Sequence, residues 1–77
     1  MELYEKVEKI INTHLSPDYD FDDIMIGHSY FLANNDEELK MKFEYEIKPL
    51  LLEYYKDGIL VDKEEKVIDK IKELALN

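Results

Sequence analysis

Seventy-seven residues allow a single domain with a small core, and the absence of cysteine removes disulfides and thiolate metal sites. A formal net charge of −9, with lysine as the only strong base, disfavours direct nucleic-acid binding and leaves no arginine finger or guanidinium clamp for a phosphate. The longest apolar runs are three or four residues against the roughly 18 of a membrane span, so the expectation is a soluble, cytoplasmic chain.

Leu3, Val7, Ile10, Ile11 and Leu15 recur at steps of three and four, the stripe of an amphipathic helix. Glu2 and Glu5 suit its positive N-terminal end, and Pro17 closes it by forcing Ser16 out of helical geometry. His14 lies near the stripe and reads as a boundary core residue rather than a ligand. The next segment, Asp18-Tyr19-Asp20-Phe21-Asp22-Asp23, places aspartates at positions 1, 3 and 5 of a calcium loop. Position 6, which needs glycine, is Asp23, and position 12, which needs glutamate, is Ser29, so the match is rejected. A polar loop with Tyr19 and Phe21 turned inward is the expectation. Residues 24–32 follow as an irregular connector, in which Gly27 provides a positive φ or a close backbone approach. On the residues alone, the Gly27-His28 step is a turn that buries Tyr30 and Phe31.

Asn35 and Glu38 have the spacing of a capping box. The stripe Leu39, Phe43, Ile47, Leu50, Leu51, Tyr54 runs through Pro49 without losing phase, which predicts one long helix over about residues 36–57, bent at the proline. The alternative is a break at Lys48, with Pro49 opening a second helix. Tyr45, Leu52 and Tyr55 fall off this stripe and call for a second contact surface. Gly58 is a helix stop, Asp62 and Glu65 repeat the capping-box spacing, and Val67, Ile68, Ile71, Leu74 and Ala75 mark a last helix. The fold class is all-α: a three-helix bundle with an irregular connector, one domain over residues 1–77.

Catalytic chemistry is missing. No phosphate loop exists, since the only glycines are Gly27 and Gly58, and Asp22-Asp23 precede their apolar run where a Mg²⁺-holding pair would follow it. His28 and Ser29 are neighbours with no third group to orient the histidine, and two histidines among scattered carboxylates make a poor zinc set. The chain is not an enzyme by itself.

Two stretches carry a family resemblance: Ile26-Gly27-His28-Ser29-Tyr30-Phe31, and Pro49-Leu50-Leu51-Leu52-Glu53-Tyr54-Tyr55. Their order and spacing resemble the C-terminal lid of McrB-like AAA+ NTPases, in which an apolar helix leads into I-G-H-S-Y-F and, after a variable stretch, a helix reads I-x-P-L-L-x-E-Y. The resemblance spans about residues 3–57. It implies a helical flap beside a nucleotide cleft that relays nucleotide state around a ring of subunits in a restriction-type complex with an McrC-like nuclease. It implies that Gly27, His28 and Ser29 face the nucleotide or the large subdomain. Tyr30, Phe31, Tyr45, Leu52 and Tyr55 become candidates for the partner-facing surface, with self-association of the isolated chain as a consequence. GTP or ATP with Mg²⁺ would belong to the parent and not to this chain alone. Lys42 and Lys48 lie in the region of a sensor residue, but with no arginine present none is assigned. The competing expectation is a free-standing acidic helical domain that binds a protein partner through Tyr30, Phe31, Tyr54 and Tyr55.

Overall fold

A computed structural model of the chain describes residues 3–74; Glu2 and Ala75, assigned above to helix ends, lie outside the described residues. Helix α1 (Leu3–His14) turns Leu3, Val7, Ile10, Ile11 and His14 into the core, as its stripe requires. Its end is not left to water. Beyond His14 the chain forms an isolated antiparallel bridge between Leu15 and Leu60. The Ser16 N–H donates to the Ile59 carbonyl at 2.8 Å, and the Val61 N–H donates to the His14 carbonyl at 2.8 Å. His14 Nδ1 completes this clasp by donating to the Val61 carbonyl at 3.0 Å. The ring is 1% exposed, so the histidine is a core residue with its hydrogen bond satisfied.

The connector is less irregular than expected. A single helical turn, α2 (Phe21–Ile24), buries Ile24, and a 3₁₀ turn follows at His28–Phe31. Phe21 packs against the core but Tyr19 is exposed, contrary to the inward position expected for it. Tyr19 lies in a turn, its N–H donating to the Ser16 carbonyl at 3.1 Å, while Phe21 opens the helical turn, so the two rings do not share the face that an extended segment would give them.

Helix α3 (Asp36–Lys42) begins at the expected cap: Asn35 Oδ1 accepts from the Glu38 N–H at 2.8 Å, and Glu38 Oε2 accepts from the Asn34 N–H at 3.4 Å. The helix then continues as a π turn (Phe43–Ile47) and as α4 (Lys48–Lys56), helical without a break over residues 36–56. The continuous helix is therefore observed, with a π turn just ahead of Pro49. The turn is marked by the Lys48 N–H donating to the Phe43 carbonyl five residues back. The sequence explains it. Leu39, Phe43, Ile47, Leu51 and Tyr55 are spaced by four, and in a regular helix each such step drifts by about 40° around the axis. One wide turn takes up the accumulated drift and keeps Phe43, Ile47 and Leu51 facing the core.

Gly58, at φ 78°, ends α4 in a Schellman arrangement: Gly58 N–H donates to the Tyr55 carbonyl and Ile59 N–H to the Tyr54 carbonyl, at 3.2 and 2.9 Å. The last helix, α5 (Val67–Glu73), starts later than the capping-box spacing predicted. Asp62 still caps it, accepting from the Val67 N–H at 2.9 Å from five residues away. The intervening residues form a loop, in which the Lys63 N–H donates to the Glu65 carbonyl. One hydrophobic core joins α1, α2, the long helix and α5, an all-α bundle of three main helices.

Candidate functional site

The connector and the outer face of the long helix hold the residues that the sequence marks for function. Gly27 has φ −64° and ψ 154°, an extended backbone open to any residue. A side chain there would meet only Ser29 Oγ, at 3.9 Å. Neither the positive φ nor a close approach within the chain is present, so nothing inside this domain requires glycine at position 27. Its carbonyl accepts from the Tyr30 N–H at 3.1 Å, starting the 3₁₀ turn that carries His28 and Ser29. The Ser29 side chain is exposed; the His28 side chain lies outside what the structure describes.

Tyr30 is exposed, not buried as the plain turn reading expected, and Phe31 is half-buried with its ring edge-on to Tyr4 at a centroid distance of 5.1 Å. Two side-chain bonds fasten the connector to the long helix. Tyr54 Oη donates to the Ile24 carbonyl at 3.0 Å, and Lys42 Nζ donates to the Leu32 carbonyl at 2.5 Å. Burial, and then the neighbouring Tyr30 hydroxyl, raise the Tyr54 hydroxyl above its ordinary value. Lys48 is half-buried within the long helix. Tyr55 is also half-buried and donates to Asp62 Oδ2 at 3.1 Å. That bond, more than the Asp62 charge or burial, raises its own hydroxyl.

Of the five partner-facing candidates, Tyr30, Tyr45 and Leu52 are exposed, Tyr45 at 77%, while Phe31 and Tyr55 are half-buried in contacts of their own. Besides Tyr19, two exposed apolar residues were missed: Leu32 at 67% and Met41 at 62%. Met41 sits four residues before Tyr45, an i,i+4 pair that carried the signal. Leu32 carried none. Among the described residues there is no group of three or more histidines and carboxylates placed to hold a metal ion, and no helix long and apolar enough to cross a membrane.

A family model described as "McrB, alpha-helical lid domain" matches residues 3–68, covering α1, the connector and the whole long helix. No curated protein and no solved structure matches the chain. With the matched span covering most of its length and the fold all-helical, the chain belongs to the family of McrB alpha-helical lid domains.

Proposed function

We propose that this lid works beside the nucleotide cleft of an McrB-like AAA+ large subdomain and relays nucleotide state around a ring that partners an McrC-like nuclease. One observation carries the reading. Of the six large hydrophobic residues left exposed among the described residues, five (Tyr30, Leu32, Met41, Tyr45 and Leu52) come from the connector and the long helix. Apolar surface concentrated on one part of a small acidic domain marks a contact surface, because an isolated monomer gains nothing from it. Gly27 supports the same reading. With space around it and no backbone demand, its missing side chain suits close approach by another chain. The Tyr54–Ile24 and Lys42–Leu32 bonds give a route for relay, since displacement of the connector pulls directly on the long helix.

The residues present do not form a nucleotide–Mg²⁺ site: the sequence has no phosphate loop, and the described residues offer no metal-binding cluster. In this reading GTP or ATP with Mg²⁺ is held by the large subdomain, and the chain alone has no turnover. The test supplies that subdomain in trans, from an McrB-like protein expressed without its own lid. The chain is expected to bind it and alter its nucleotide turnover, and Tyr45→Asp with Leu52→Asp to weaken binding at least tenfold, about 1.4 kcal/mol. Absence of binding by the unaltered chain overturns the lid role. Equal binding by the double variant overturns the assignment of the face.

A further inference from the structure

We infer that the π turn of the long helix docks an arginine of the partner, so that the surface this lid fits presents a guanidinium opposite Tyr45; this rests on the lid reading and names the chemistry of its partner face. The site is created by a hydrogen bond that cannot form. Within a helix the Glu44 carbonyl could accept from the N–H four residues on, at Lys48, or in a wide turn from the N–H five residues on, at position 49. The Lys48 N–H donates to the Phe43 carbonyl instead, and Pro49 has no N–H. No other donor among the described residues bonds to this carbonyl. Glu44, Tyr45, Glu46 and Pro49 are all exposed, so the unmet acceptor lies on the open side of the helix.

Its surroundings select a guanidinium. In sequence the carboxylates of Glu44 and Glu46 flank Tyr45, which is 77% exposed, and neither glutamate is in an ion pair among the described residues. The lysines of the same helix do not answer them. Lys42 donates to the Leu32 carbonyl. The wide turn brings Pro49 rather than Lys48 over Glu44, and Lys48 is half-buried. Lys40, one turn earlier, pairs with neither glutamate. An unmet carbonyl, unpaired carboxylates and an open aromatic ring together match one side chain. The planar fork of arginine has five N–H donors, enough to serve the carbonyl and a carboxylate at once, while its face stacks on the ring. An ammonium has the charge without the plane. The chain contains no arginine, so neither this copy nor a second copy supplies the group, and a net charge of −9 favours a basic partner.

The lack of arginine also provides the reporter. Phenylglyoxal modifies arginine, so in a complex of the full chain with the McrB-like large subdomain every modified arginine belongs to the subdomain. Peptide mass spectrometry is expected to show one arginine protected about tenfold in the complex. Glu44→Gln with Glu46→Gln should abolish that protection even when the subdomain is saturated, and should weaken binding about tenfold. Pro49→Ala gives position 49 an N–H for the carbonyl and should weaken binding about fivefold. Circular dichroism checks that each variant is folded. The inference is overturned if the chain binds and no arginine is protected, if protection survives in the double variant, or if Pro49→Ala binds as well as the unaltered chain. Each of those results leaves the lid role standing, because that role is tested by binding itself. Absence of binding by the unaltered chain overturns both.

Discussion

Gly58 and Gly27, the two glycines, have opposite standing. Gly58 occupies the left-handed region, so Gly58→Ala should cost about 1 kcal/mol in urea unfolding. Gly27 has an ordinary φ and free space, so Gly27→Ala should leave stability unchanged or raise it by a few tenths of a kcal/mol, and any harm should appear only in binding. The sequence disclosed the first because the end of an apolar stripe followed by glycine implies a helix stop. It did not disclose the second, since φ at a lone glycine depends on the turn that follows it. Tyr54 gives a further test. Its hydroxyl titrates above 10.0 in the folded chain, so the proton is held more tightly there than in the unfolded chain. That contribution is present below pH 10 and is lost as pH rises through the raised native value. Tyr54→Phe should cost about 1 kcal/mol at neutral pH through the lost bond to Ile24 and should flatten part of the alkaline decline. Denaturant unfolding between pH 7 and pH 12 measures both; Tyr55, raised by Asp62, retains the rest of the decline.

At the scale of elements, the π turn and Pro49 explain one another. A proline inside a regular helix costs about 3 kcal/mol, through a lost hydrogen bond and a clash with the preceding turn. The wide turn before Pro49 relieves that clash, and the spacing of core residues by four fixes where the turn sits. Deleting the exposed Glu46 would restore regular spacing but return Pro49 to a regular helix. The deletion alone should therefore destabilise the chain by about 3 kcal/mol. The deletion combined with Pro49→Ala should recover most of that loss, and Pro49→Ala alone should keep the fold within about 1 kcal/mol. Thermal and urea unfolding of the three variants makes the cycle. The long helix was legible because Asn35, the stripe and Gly58 agree on its limits. The π turn was not read from the stripe, although the spacing by four was visible, because a proline offers a bend as the simpler account. The start of α5 was misplaced because Asp62 has the capping chemistry but reaches its helix across a loop.

For the whole molecule, the all-α class followed from periodicity, whereas the family came from two short stretches whose chemistry alone names nothing. The residues left exposed were only half legible: departure from the stripe singled out Tyr45 and Leu52, but gave no account of Leu32. The clasp at His14–Ser16 and Ile59–Val61 was invisible in sequence, since it joins segments about 45 residues apart through backbone groups that every residue carries. It also makes the chain tolerant of a cut. Residues 32–35 are exposed, and each side of them contributes to the core: Leu3, Val7, Ile10, Ile11, Ile24 and Ile26 before, and Phe43, Ile47, Leu51, Leu60, Val67, Ile71 and Leu74 after. A protease that cleaves between Leu32 and Asn35 should leave two fragments that co-migrate as one species in native mass spectrometry and separate only in denaturant. The same two pieces, produced as separate polypeptides, should find each other and rebuild the bundle, so that the domain behaves as a natural split protein.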